Sequence, residues 1–286
     1  MKINKELAIL RELLNITQKE LANELNITFE TINRWESSKT EIELANLEKV
    51  YSFAYKNKIY FNKIYEQLYI ETYKDLSIVP LFHGCKNIIN FPIDLKHSKP
   101  NNDLGAGFYL GETFNQAATY ISNSKSNNIY SFILDKRNLL IETLNVSSDW
   151  MIAISYYRCW IDNYKDSKIV KKLINKLELA DVIIAPIADN RMFDIISEFV
   201  RGEITDLQCL HSLSATNLGM QYVIRSEKGL KNLEFKRLFY LSNIEKNDYL
   251  QVKLEMSNIS IDKVKIAKIE YRGKGKYIDE LLKWEN

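Results

Sequence analysis

The chain has 286 residues, enough for one large or two modest domains, each with a buried core. Its 39 Lys and Arg nearly balance 37 Asp and Glu, and the formal charge of +2 creates no global field towards nucleic acid or an anionic membrane. Three cysteines, Cys85, Cys159 and Cys209, are odd in number and lack metal-ligand spacing, so reduced thiols in a cytoplasmic setting are expected, with no disulfide framework and no metal centre. The opening MKINKELAIL holds no long apolar run and no stretch approaches a membrane span, so neither a signal peptide nor a transmembrane helix is expected.

Residues 4 to 14 place Leu7, Leu10 and Leu14 at helical spacing. Thr17 is set to cap a second helix from Gln18, with Glu20 at the capping-box offset. That helix should end at Leu25 and Asn26, where asparagine can take the left-handed conformation of a tight corner. Thr28 should cap a third helix, FETINRWESS, with Ile32 and Trp35 turned inward and Thr31, Asn33 and Arg34 outward.

A second helix opening Q-x-x-L-A and a third ending in Trp-Glu resemble the Cro-repressor-type, or XRE, helix-turn-helix family. The resemblance implies that the third helix lies in the DNA major groove. It makes Thr28, Glu30, Thr31 and Asn33 candidate base readers, and Gln18 and Arg34 candidate phosphate or base contacts. A homodimer is then expected, because one such module rarely binds tightly. Against this stands the charge of residues 1–57, eight Lys or Arg and nine Asp or Glu, which weakens the counterion-release part of binding unless charge clusters on one face. A helical interaction module that no longer binds DNA therefore stays open.

Leu44, Leu47, Val50, Tyr51 and Ala54 form one apolar face that would complete an all-α domain over residues 1–57. Ile59, Phe61, Ile64, Tyr65, Leu68 and Tyr69 continue the helical pattern, so residues 58–77 are expected to be a rigid helical connector. The aromatic stripe reads as packing or as a dimer surface before it reads as a base-stacking platform.

From Ser77 the pattern changes to short apolar runs, SIVPLFHG, GAGFYLG, IYSFILD and LLIETL, which predict strands. A helical stretch from Trp150 to Leu179 follows, then a buried strand ADVIIAPIA and a helix RMFDIISEFVRG closed by Gly202. TDLQCLHSL should be a short helix capped by Thr205, and QYVIRS and LEFKRLFYL further strands. The run from Val264 reads as a strand, a glycine turn and a last helix. Strands with interspersed helices over residues 78–286 predict an α+β fold.

Within that region His83-Gly84 closes the first strand, and Asp103, Gly105, Gly107, Phe108 and Tyr109 form a glycine-punctuated approach to the second. A helix with Gln116, Ala117, Ala118 and Tyr120 comes next, and later come the APIADN run and Gln221-Tyr222. This order resembles the ADP-ribosyltransferase superfamily, and within it a bacterial family carried as a domain of unknown function; the likeness spans most of residues 78 to 236.

The resemblance implies an NAD-dependent mono-ADP-ribosyltransferase with an ADP-ribosyltransferase-like fold, using NAD as substrate and an unknown macromolecular acceptor. A toxin or phage-defence effector is one such setting. His83 would hydrogen-bond a ribose hydroxyl, the backbone of Gly84 would grip the nicotinamide carboxamide, and Tyr109 would stack on the ring. Asp103, Gly105, Gly107, Phe108, Asp189 and Asn190 would complete the dinucleotide site, the glycines by letting the strand approach it. Such a site works by holding the nicotinamide flat and stabilising an oxocarbenium-like C1′.

Where active superfamily members carry glutamate, the matching position here is Gln221, which keeps hydrogen bonding and loses the charge. His83, Tyr109 and Gln221 are thus the catalytic candidates, with Asp189 or Glu227 as a substitute carboxylate. The neutral side chain keeps open a second class of function, a transcriptional regulator whose transferase-like domain binds NAD or a related nucleotide without turnover. Each residue also has a plainer role: His83, Tyr109 and Gln221 as ordinary strand residues, and Asp189 as the cap of the helix after it. The transferase reading requires the His83 imidazole and the Tyr109 phenol to converge on opposite sides of one nicotinamide-sized slot. Residues 147–180, with Trp150, Tyr156, Tyr157, Arg158 and Trp160, read equally as a partner-facing insertion or as a buried helical layer.

Overall fold

A computed structural model describes residues 3–73, 75, 77–214 and 219–282. Its first four helices are α1 (Asn4–Leu14), α2 (Gln18–Leu25), α3 (Phe29–Glu36) and α4 (Leu44–Lys56). Thr17 and Glu20 form the expected capping box, Thr28 caps α3, and Asn26 ends α2 in the left-handed region at φ 52°. Leu7, Leu10, Leu21, Ile32 and Val50 are fully buried between these helices. Leu44, read as part of that apolar face, instead opens α4 and stays 68% exposed. It lies one turn ahead of Leu47, the first residue of α4 in the core, where no facing helix reaches it.

The core of the helical head does not stop at residue 57. Phe61 of α5 (Phe61–Thr72) and Tyr240 of the last strand complete it. Around that seam Glu6 pairs with Arg237, the Tyr240 hydroxyl donates to Glu48 at 2.9 Å, and Asn62 donates to both the Tyr240 carbonyl and Glu245. The head is therefore packed against the body through buried polar contacts, as a rigid connection requires.

The body holds one seven-stranded mixed sheet: β1 (Ile78–Gly84), β2 (Phe108–Gly111), β3 (Asn128–Asp135), β4 (Ile141–Thr143), β5 (Val182–Pro186), β6 (Met220–Ile224) and β7 (Leu233–Tyr240). Their order across the sheet is β4-β5-β6-β2-β1-β3-β7, antiparallel throughout except for the parallel β4–β5 pair. Helix α6 (Phe114–Ile121) covers β1, while α7 (Ser148–Tyr157), α8 (Lys168–Glu178), α9 (Asn190–Val200) and α10 (Asp206–Ser214) pack around the β5–β6 end. A short α11 (Glu227–Lys231) leads into β7. Trp150 through Ile154 are buried, as the reading of the stretch from 147 to 180 as a buried helical layer requires.

The expected strand near the end of the chain is overturned. Residues from Val264 onward do not begin with a strand: they finish a 28-residue helix, α12 (Asn243–Glu270), and α13 (Ile278–Leu282) follows. Alternating apolar residues in VKIAKI suit either element, and Val264 settles the choice by packing helically against the α9–α10 core. The expected last helix runs past residue 282, and its final four residues lie outside the described ones. Among the described residues no helix is long and apolar enough to cross a membrane.

The seam between head and body carries a titratable group. Glu245 is 3% exposed, one of its oxygens has no partner among the described groups, and burial lifts its pKa to about 7, with Lys63 opposing and Asp248 adding to the rise. Because the folded pKa lies above the unfolded value, the folded chain binds more protons between about pH 4.5 and 7, and stability falls as pH rises through that window. Replacing Glu245 by Gln should remove that slope. Thermal melts from pH 5 to 8 should therefore diverge, the parent losing up to about 3 kcal/mol that E245Q keeps.

Candidate functional site

β1 and β2 run side by side for a single paired position, Phe82 opposite Gly111, and then part. On the other side β1 stays paired with β3 to its end, Gly84 opposite Ile129, and the Cys85 N–H donates to the Asn128 carbonyl at 3.4 Å. In an antiparallel ladder, alternate residues direct their backbone groups to alternate neighbours. With Cys85 bonded to β3, the N–H and C=O of Gly84 point the other way, towards the gap where β2 has left.

The carbonyl that a continued ladder would offer Gly84 belongs to Tyr109, and His83 has taken it: its Nδ1 donates to the Tyr109 oxygen at 2.6 Å. A carbonyl only accepts, so Nδ1 carries the proton, and burial holds the imidazole pKa below its usual value, leaving the ring neutral. Nε2 is then a lone-pair acceptor, with no partner among the described residues. The ring is held in place by stacking on Phe108, centroids 4.6 Å apart.

Gly84 is glycine because α6 crosses it. A Cβ there would run into the Ala117 carbonyl and come within 3.0 Å of Ile121. One turn along, the ring of Tyr120 is 58% exposed, with the Lys86 ammonium 5.4 Å from its centroid. An aromatic face already receiving a cation thus stands near the end of β1, on the face of the sheet that α6 covers and opposite His83. Only its place in the sequence, next to the Gln-Ala pair, hinted at this ring.

Tyr109 is not its counterpart. Strand alternation puts His83, Phe108 and Leu110 on one face of the sheet and Tyr109, with Val223, Ile183 and Ala185, on the other. The Tyr109 hydroxyl donates to the Gly105 carbonyl at 2.6 Å and accepts from the Leu104 N–H at 3.1 Å. The expected convergence of imidazole and phenol on one slot does not occur. His83 meets the backbone of Tyr109, while its phenol fastens the preceding loop. Substituting Tyr109 by Phe should therefore cost about 1–2 kcal/mol in denaturation, from two backbone groups losing a partner. Unfolding curves matching the parent would contradict this role.

The same loop explains three other candidates. Asp103 is held by Arg158, Nη2 to Oδ1 at 2.6 Å, and the Arg158 guanidinium lies 3.5 Å over Phe193. Gly105, at φ +79°, has the Tyr157 ring 2.7 Å from where a Cβ would sit. Gly107 has Val223 at 2.5 Å. Their small size and polarity serve packing within the chain, so the close approach read for a dinucleotide is made by the protein's own side chains. Arg225, which bonds the Tyr157 hydroxyl at 2.7 Å and Glu178 at 2.8 Å, completes this clamp and carried no signal in the sequence.

Gln221 is 7% exposed and donates through Nε2 to the Pro186 carbonyl at 3.1 Å, which turns Oε1 the other way as an acceptor. It lies opposite Gly111, on the Tyr109 face. Asp189 caps α9 by accepting from the Met192 N–H at 2.9 Å, Asn190 is the exposed first residue of that helix, and Glu227 opens α11. None of the three is brought to the His83 gap as a spare carboxylate or amide. Gln116 bridges α6 to the β2–β6 edge, accepting from the Thr113 N–H and donating to the Met220 carbonyl.

At the head, Thr28, Glu30, Asn33 and Arg34 are exposed on α3, and Thr31 is half-buried. Beneath them Glu36 accepts from Arg11 at 2.6 and 2.8 Å and from Gln18 at 2.7 Å, and Gln18 in turn accepts from Asn33 at 3.4 Å. Two of the candidate DNA contacts are thus oriented by one carboxylate.

The chain therefore joins a helix-turn-helix head to a mixed-sheet body with a split between two central strands. It belongs to the family described as "Protein of unknown function (DUF3990)", whose model matches residues 79–235, more than half of the 286. Residues 7–50 match the model described as "Helix-turn-helix", so the head is a DNA-binding domain of that type. Neither a curated protein nor a solved structure matches the chain.

Proposed function

We propose that the protein is an NAD-dependent mono-ADP-ribosyltransferase carried by a DNA-binding head, cleaving NAD at the gap between β1 and β2. The observation that carries the reading is the pairing, at that gap, of an amide-sized donor and acceptor on Gly84 with the free Nε2 acceptor of His83. A primary carboxamide is the complement of the first, and a ribose hydroxyl of the second.

In the reaction the nicotinamide leaves with the electrons of the N-glycosidic bond, and an acceptor nucleophile bonds to C1′ and loses its proton. Gly84 would hold the carboxamide and His83 would fix the ribose. Binding so distributed favours departure of the nicotinamide by shape and dipoles, without a protein nucleophile. The same site fits an effector acting on a macromolecule, whether protein or nucleic acid.

A second reading is favoured by one observation. Gln221 is neutral and Asp189 is committed to a helix cap, so neither of these two candidates offers a free carboxylate to the developing positive charge. A regulator that binds NAD without turnover follows from that.

Incubating the full chain with NAD labelled in its adenine, with and without lysate, separates the two. The transferase reading expects free nicotinamide and macromolecular label, both lost in H83A. Saturable binding without nicotinamide release leaves the regulator. NAD that neither binds nor breaks down overturns both.

A further inference from the structure

We propose that the outward face of α5 is the docking surface for a second copy of this chain, the two helices lying antiparallel about a twofold axis through Gln67. Phe61, Asn62, Tyr65 and Tyr69 turn α5 towards the head and the sheet. The opposite side carries Lys63, Ile64, Gln67, Leu68, Ile70 and Glu71, all exposed, with Ile64, Leu68 and Ile70 at 43%, 49% and 45%. Three large aliphatic residues within about two turns of one helix are more apolar surface than solvation alone explains.

The order of residues on that face selects the partner. At 100° per residue, the face centred on Gln67 is symmetric about it: Ile64 and Ile70 stand three residues away on either side, Lys63 and Glu71 four. An antiparallel copy with its axis at Gln67 therefore places Ile64 against Ile70 twice, Lys63 against Glu71 twice, and glutamine against glutamine. Only an isologous contact repeats every pairing in this way. Both charges lie on the exposed face, Lys63 also lowering the pKa of the buried Glu245. Neither enters an ion pair among the described residues: Lys63 lies 5.1 Å over the Tyr60 ring, and Glu71 accepts from Gln67 at 3.2 Å. A parallel copy would set Lys63 against Lys63 and Glu71 against Glu71.

Two crossing helices of this length bury less than a standard interface, so the dimer should be weak and concentration-dependent. Two half-sites on one duplex would then stabilise it by linkage.

Sedimentation equilibrium of the full chain, from about 1 to 100 µM at low salt, tests the pairing. A reversible monomer–dimer equilibrium is expected. K63E and E71K should each weaken it roughly tenfold, because each reversal turns two attractive contacts repulsive. The double variant K63E/E71K should return to within about threefold of the parent, since both pairs re-form with exchanged signs. Both substitutions are on exposed side chains, and a single cooperative melting transition in each variant confirms that the fold is kept. A chain that stays monomeric throughout, a dimer indifferent to the single reversals, or a double variant no better than the singles overturns the proposal.

Discussion

Replacing Arg237 by Ala should cost about 3–5 kcal/mol, the largest loss expected of any single exposed-to-seam substitution in this protein. Arg237 on β7 pairs with Glu6, which is only 3% exposed on α1, and its guanidinium lies 3.5 Å over the Tyr65 ring. Truncation leaves a carboxylate buried without its cation and removes the stacked plane, and neither loss is restored by water. Because Nε of Arg237 already lacks a partner among the described groups, the pair is not a strong net stabiliser in itself. The charge left behind is what makes the single variant costly. Denaturant unfolding should show E6Q milder than R237A, and E6Q combined with Arg237→Met should recover most of the loss. An R237A midpoint within about 1 kcal/mol of the parent would sink this account.

Arg34 and Asn33 carry the second expectation. On a duplex selected for this protein, R34A and N33A should each lower affinity by about 1–3 kcal/mol, roughly 5- to 150-fold. The two differ in kind. The Arg34 guanidinium has no partner among the described residues and stands exposed on α3, so if it meets a phosphate its loss lowers the salt slope by about one. Asn33 is steered by Gln18, which Glu36 holds, so its loss should relax the preferred sequence and leave the slope unchanged. Binding measured across salt concentration, with parent and variant on matched and mismatched duplexes, reads both. Affinity unchanged in both variants would place DNA contact elsewhere on the head.

Position-specific signals made the head legible residue by residue. A capping box, an asparagine at a left-handed corner and two inward aromatic or aliphatic positions are local devices, and all appear where the spacing puts them. Six of the seven strands were announced by short apolar runs and the parallel β4 by LLIETL, because a buried strand needs apolar residues at period two or in an unbroken run. The stretch from Val264 misled for the same reason. Its alternation fits both periods, and what decides for helix is the packing of Val264 against α9 and α10, far away in sequence.

The candidate site was legible only in part. The resemblance gave Gly84 a backbone grip on a carboxamide, and the fold shows why the position is glycine: α6 crosses it. Gly105 and Gly107 looked like room for a dinucleotide and are instead room for Tyr157 and Val223. The resemblance made Tyr109 a stacking ring. The number of residues between His83 and Tyr109 says nothing about which face each side chain takes once β1 and β2 pair.

Residue order alone determined the seven strands, most of the helices, their caps and the helix-turn-helix head, since these depend on periods and contacts a few residues long. Tertiary structure alone decided that β2 leaves β1 after one pair, that His83 rather than Gly84 claims the Tyr109 carbonyl, and that Glu6 is sealed against Arg237. Those facts rest on pairings between segments 26 to 231 residues apart, and only the closed sheet and the packed seam fix which groups meet.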